Sequence, residues 1–290
     1  MRHETPILTP STDRRRLGAV AFAGRPIGRG PIPWPARYLG GPQRAALLAL
    51  DRLHRLLDDI ADADLAADDR LSLLVAVRDD LLRLCEGGAA ATGLARTIAP
   101  LMALQPPAEE LEAMVDGRRM AVDGRMRAPT TADLRLYLRR RHGSLAFMVL
   151  HCLDLDAPAL ERVVLPLGEA VGLTEALLDL GRDAGQGRLL LSREALAEAG
   201  VPIGDPAAAL RHPRVGQACR ALARLADERF DAATGRLVGN HRRVWPLHYL
   251  MQSQRRLLHR VMRRGWQDVT RRPHLGAIES MMLVLRARYG

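Results

Sequence analysis

From Pro42 to the last residues, apolar side chains recur at intervals of three and four with hardly a break. No run of β-branched residues alternates with polar ones, and no hairpin dipeptide sits between two apolar runs. That periodicity confines the chain to an all-α fold. Pro42 suits the first turn of a helix, where its missing N–H costs nothing. The helix it opens carries Leu47, Leu50, Leu53, Leu57 and Ile60 on one stripe. Further helices are predicted over about 69–85, 93–103 and 108–122, the last preceded by the breaker Pro106-Pro107. Thr130-Thr131-Ala132-Asp133 reads as a capping box for a long helix to about Leu153. Helices at about 157–183, 206–229, 244–264 and 274–288, and a short one from Ser192 to Gly200, complete the chain.

Short connections and the lack of a composition break after residue 42 point to a single domain over 42–290. Residues 1–41, rich in Pro, Gly and Arg, read as a lead-in. Within them Arg14 to Ala23 looks faintly like a secretion signal, but its short apolar run meets Arg25 and then Pro and Gly. No apolar run approaches the ~20 residues of a spanning helix. Cys85, Cys152 and Cys219 are far apart and suit a reducing compartment, so a cytoplasmic location is expected. All 43 basic residues are arginine. The net charge of +10 therefore reflects a compositional bias as much as a partner, and no nucleic-acid-binding motif accompanies it.

Two acidic clusters carry the chemistry. Asp58, Asp59 and Asp62 end the first helix, with Asp51, Arg55, Asp58 and Asp62 on one stripe; Arg55 is also in reach of Asp59 for a simple i,i+4 pair. Glu175, Asp179 and Asp183 follow at i, i+4 and i+8 on a later helix. Either cluster alone also reads as a solvated acidic face, with Arg182 beside Asp179 and Asp183. Carboxylates so aligned suit Mg2+, which takes one or two of them and leaves other positions to substrate phosphates. Two such helices face to face would clamp a diphosphate through Mg2+ and neutralise its charge as it leaves an allylic carbon.

The text around the second cluster is more specific. Asp179, Asp183, Gly187-Arg188, the apolar Leu189 to Leu191 and the small helix from Glu194 to Val201 resemble the corresponding stretch of squalene and phytoene synthases. Arg55 with Asp58-Asp59-Ile60-Ala61-Asp62 resembles that family's earlier aspartate motif. Asp116 to Met120 and the segment Leu134…Tyr137…Gly143-Ser144 fall where the family has similar elements. The resemblance spans roughly 42–290. It implies an isoprenoid-synthase-type helical bundle with a central cavity, and head-to-head condensation of two prenyl diphosphates of farnesyl or geranylgeranyl type. It also implies Mg2+ on Asp58, Asp59, Asp62, Glu175, Asp179 and Asp183, with Arg55 and Arg188 on diphosphate.

The chain departs from the family at several places. Where the family shows Gln-x-x-Asn-x-x-Arg-Asp, this chain has Gly172, Glu175, Leu178 and Asp179. Arg182 replaces an acidic residue, Arg139 and Gln254 stand at tyrosine positions, and Ala121 takes the place of an aspartate. Glu175 would restore a ligand, whereas Arg182 would neutralise one. Two rivals therefore stand beside condensation: a cyclase or prenyltransferase using one allylic diphosphate, and a non-catalytic binding or assembly protein. Arg242, Arg243, Arg255, Arg256, Arg260, Arg263 and Arg264 read either as a patch for diphosphate or a peripheral membrane contact, or as a solvated face. Gly143-Ser144 reads either as room for an isoprenoid tail or as a helix-packing contact.

Overall fold

A computed structural model describes residues 33–91, 93–154, 158–237, 241–266 and 272–289. Residues 1–32, and with them most of the expected lead-in, lie outside the described residues. Helical packing begins before Pro42. The turn α1 (Pro33–Ala36) buries Ala36 in the core, and α2 (Gly41–Ala61) follows with Pro42 in its first turn. All five residues of the α2 stripe are buried. Then come α3 (Ala67–Cys85), α4 (Leu94–Met102) and α5 (Ala108–Val122), close to the predicted spans.

Three expected helices are interrupted. The rod predicted from Thr130 to Leu153 consists of α6 (Thr131–Leu138), a π-helical turn (Arg139–Gly143) and α7 (Ser144–Cys152). Its cap is as expected, with Thr130 Oγ1 accepting the Asp133 N–H at 3.1 Å. The next helix divides at Asp179 into α8 (Pro158–Leu178) and α9 (Leu180–Gly185). After α10 (Arg193–Glu198), the predicted 206–229 helix splits into α11 (Pro206–Arg211) and α12 (Val215–Arg236). Pro213 explains that split, because it forces His212 into an extended conformation, φ −66° and ψ 133°. α13 (His241–Arg264) and α14 (Ala277–Tyr289) complete the bundle.

The α6–π–α7 rod runs through the middle. The π turn packs on α5 to one side and α8 to the other, α12 lies along α8, and α14 lies on α13. Glycines bring the rod and α8 together. An added Cβ on Gly168 would stand 2.5 Å from the Gly143 Cα, and one on Gly172 would meet Leu138 Cδ2 at 2.6 Å and His142 Cδ2 at 2.7 Å. Of the two readings of Gly143, the close helix-packing contact is the observed one. No helix among the described residues is long and apolar enough to cross a membrane.

Gly168→Ala drives a methyl group into backbone rather than into a yielding side chain. It should destabilise the protein by about 1–3 kcal/mol in chemical denaturation. An unchanged midpoint would mean that the rod and α8 are not held this close.

Candidate active site where the two aspartate motifs meet

The C-terminal end of α2 and the α8–α9 junction each present a set of carboxylates. Arg188 joins them, and local backbone chemistry sets its position. Gly187 follows α9 with φ +75°, a left-handed conformation that glycine adopts without strain. Its N–H reaches the Ala184 carbonyl at 3.0 Å, and the Arg188 N–H reaches the Asp183 carbonyl at 2.8 Å. This paired closure is a Schellman motif, which turns the chain back over the helix end. Leu189 then pairs with the loop after α5, donating to Met126 O at 2.9 Å and accepting from Ala128 N at 3.0 Å. The buried Leu189 to Leu191 run anchors the segment in the core.

So held, the buried Arg188 guanidinium reaches both motifs. Its Nη1 donates to Asp62 Oδ1 at 3.0 Å, and its Nη2 to Asp183 Oδ1 at 2.7 Å. Gln186 Oε1 accepts a further bond. Burial pushes the Asp183 carboxyl above its ordinary value, partly offset by Arg188. Burial alone would lower the Arg188 pKa, but Asp183 and Asp62 raise it overall.

Asp58 has a different environment. The fully buried Arg118 of α5 donates Nε to Asp58 Oδ1 at 3.1 Å, and Arg141 of the π turn places Nη2 at 3.0 Å from the same oxygen. Arg141 also donates Nη1 to Tyr137 Oη at 2.7 Å, while its Nε is buried without a hydrogen-bond partner. The His54 imidazole lies 3.4 Å from Asp58 Oδ2 and bonds Arg118 through Nδ1. Burial lowers its pKa to about 3, so it is neutral at pH 7. Burial would raise the Asp58 carboxyl, but Arg141 and Arg118 hold it well below the usual carboxylate range.

The bend at Asp179 gives the second motif two directions. Asp183 turns to Arg188, whereas Asp179 and Glu175 face Arg272, with Arg272 Nη2 to Glu175 Oε2 at 2.7 Å. Arg182 pairs with Asp179 at 2.9 Å, the neutralising contact anticipated for it. Buried Gln254 of α13 donates Nε2 to Glu175 Oε1 at 2.8 Å. The two replaced positions are therefore bonded to each other. Arg55 pairs back onto Asp51 at 2.8 Å, and Asp59 is half-buried beside Asp58. Arg139 engages Glu110.

Sequence reasoning missed Arg118, His54 and Arg272 as parts of the site, whereas Arg141 lies in the run Arg139 to His142, which reads either as a diphosphate patch or as a solvated face. A basic residue in a chain with 43 arginines carries little signal. Three arginines of the suspected basic patch are engaged in ion pairs. Arg255 binds Asp227 and Asp231, and Arg256 and Arg260 bind Glu279. The side chains of Arg242 and Arg243 lie outside the described residues.

A sequence model of squalene/phytoene synthases matches residues 32–279. The chain belongs to the squalene/phytoene synthase family. A presqualene diphosphate synthase of Rhodopseudomonas palustris is 34% identical over 210 residues, covering 72% of this chain and 74% of that one. Another, from Zymomonas mobilis, is 28% identical over 256 residues, 87% of each chain. Among solved structures, a dehydrosqualene synthase in complex with ligand superposes with a TM-score of 0.72 at 19% identity, covering 96% of each chain. A squalene synthase from Alicyclobacillus acidocaldarius gives 0.70 at 20% identity, covering 89% of this chain and 95% of that one. These two structures share the all-α isoprenoid-synthase fold seen here.

The donor set at the site is carboxylate oxygen, the chemistry that Mg2+ prefers. Arg188 shows that positive charge is accommodated between Asp62 and Asp183. In that sense the residues fit a divalent cation. Among the described residues no three His, Cys, Asp or Glu side chains already converge as a ligand shell. Loading would require guanidinium groups to give way.

Replacing Arg188 by Met takes from the buried Asp183 carboxylate its hydrogen-bonded cation. Loss of one partner of a buried pair costs about 3–5 kcal/mol, so the variant should unfold earlier at pH 7. Its Asp183 pKa should sit further above the unfolded value, so this group stabilises most at low pH and loses that contribution as pH rises through the folded pKa. The deficit relative to wild type should therefore shrink as pH is lowered from 7 towards 5 in thermal melts. A deficit independent of pH would show that Asp183 does not carry it.

Proposed function

We propose that this enzyme condenses two prenyl diphosphates of farnesyl or geranylgeranyl length head to head. A carbon–carbon bond forms, one diphosphate leaves and a proton is lost. The observation that carries the reading is the Arg188 bridge. It brings carboxylates from both aspartate motifs to one place, which a solvated acidic face would have no reason to do. The curated relatives are named for products of the same class, presqualene diphosphate and phytoene. No dinucleotide-binding fingerprint occurs in the sequence, and nothing in it supports adding a reductive step to this condensation.

The residues that would hold Mg2+ are Asp58, Asp59 and Asp62 on α2, and Glu175, Asp179 and Asp183 at the α8–α9 junction. When bound there, the cation supplies Lewis-acid neutralisation of the departing diphosphate. The arginines have a complementary task. Arg188, Arg141 and Arg55 are the groups that would turn from carboxylate to diphosphate oxygen, an exchange between charge-assisted hydrogen bonds of similar kind. Arg141 enters that exchange with its Nε–H unsatisfied. The tightly packed rod and the apolar residues behind it would exclude water from a developing carbocation.

Purified protein incubated with farnesyl and geranylgeranyl diphosphate should release diphosphate only with Mg2+, and the extracted lipid should contain twice the substrate's carbon number. Asp62→Asn and Asp183→Asn should each lower the rate by about 100-fold or more, the scale at which lost transition-state charge stabilisation is felt. A cyclic hydrocarbon with the carbon number of a single substrate would identify a cyclase instead. Folded protein releasing no diphosphate would leave a binding role.

A further inference from the structure

Five of the nine large apolar side chains that stand exposed among the described residues lie on one helix, α14. Ile278, Met281, Met282, Leu285 and Tyr289 are 73%, 44%, 63%, 48% and 73% exposed. Spacings of three, one, three and four residues set them along a single outward stripe. The inner face buries Leu283, Val284 and Ala287 against Trp245 and Tyr249 of α13. A helix apolar on both faces is ordinarily covered on both. Here the outer face is open, and a contiguous apolar patch of this kind marks an interaction surface.

The charges around the stripe select its partner. Glu279 is the one acidic residue between 272 and 289, and Arg256 and Arg260 already hold it. Arg286 and Arg288 flank the stripe in exposed positions, and Arg263 stands exposed on neighbouring α13. A second copy docked face to face would bring two sets of Arg286 and Arg288 together with no free acid on the helix to receive them. Residues 1–32 carry six arginines against two acids, so they offer no charge complement either. The surface calls for a partner that is apolar in depth and anionic at its edge.

We propose that α14 is a membrane-docking helix. Ile278, Met281, Met282, Leu285 and Tyr289 enter the boundary between headgroups and acyl chains of a bilayer, and Arg286 and Arg288 meet anionic headgroups at its surface. This is the arrangement of interfacial helices, whose affinity combines buried apolar area with attraction to anionic lipid. It places the docking surface on α14, whereas Arg255, Arg256 and Arg260 of α13 are engaged within the protein. The inference rests on this surface alone and does not depend on the reaction proposed above.

The test is flotation of the full chain with vesicles of phosphatidylcholine alone and of phosphatidylcholine mixed with phosphatidylglycerol, at low and high salt. No prenyl diphosphate is present, so the outcome is separate from any activity. The wild-type protein should float with the anionic vesicles and lose binding as salt screens the arginines. The double variant Met282→Glu with Leu285→Glu should weaken partitioning by about tenfold or more, since it removes two inserted side chains. Its melting temperature should be unchanged because both positions are exposed. The proposal is overturned if wild-type protein stays unbound at low salt, or if the double variant binds as well as wild type. A wild-type dimer in light scattering that the double variant abolishes would overturn it too, by assigning the stripe to a second copy.

Discussion

The guanidinium of Arg188 is the contact on which the site depends. It is shared by Asp62 at the end of α2 and Asp183 in α9, two positions 121 residues apart in the chain. Asp62 caps a helix C-terminus, where the aligned peptide dipoles disfavour negative charge. A carboxylate there needs a cation. Arg188 supplies it, from a backbone position fixed by the Schellman closure at Gly187 and the pairing of Leu189. The same segment therefore ends α9, ties the chain to the loop after α5 and closes the two motifs on each other.

Several of the chain's departures from its family's pattern are consistent with one another once they are placed in space. Gly172 leaves room for the imidazole of His142, which would collide with any larger residue. Glu175 and Gln254, which looked like independent changes in the sequence, form one hydrogen bond. Arg118 and Arg141 converge on Asp58 from two different elements, with neutral His54 between Arg118 and that carboxylate. Positive charge is thus built into the walls around the carboxylates, so occupation of the site by any other cation is a competition with arginine.

Most helices were legible because burial of one face imposes a period of 3.6 residues whatever the neighbours are. The interruptions were less legible. Pro213 carries its own signal, since the residue before a proline avoids helical geometry. The π turn at Arg139–Gly143 and the bend at Asp179 carry none. Both lie in segments with good helical pattern, and both occur where the rod and α8 approach most closely or where carboxylates turn to separate partners.

The sequence by itself determined the all-α architecture, the order and rough extent of its helices and the two aspartate motifs, all of them properties of residues near one another in the chain. It also contained the Gly187-Arg188 pair, whose local geometry follows from glycine's freedom at positive φ. Only the tertiary structure decided which arginine meets which carboxylate. It also divided the second motif between Arg188 and Arg272 and left the outer face of α14 uncovered. Those outcomes depend on distances between segments far apart in the chain, and with arginine at every basic position, charge type alone could not distinguish one partner from another.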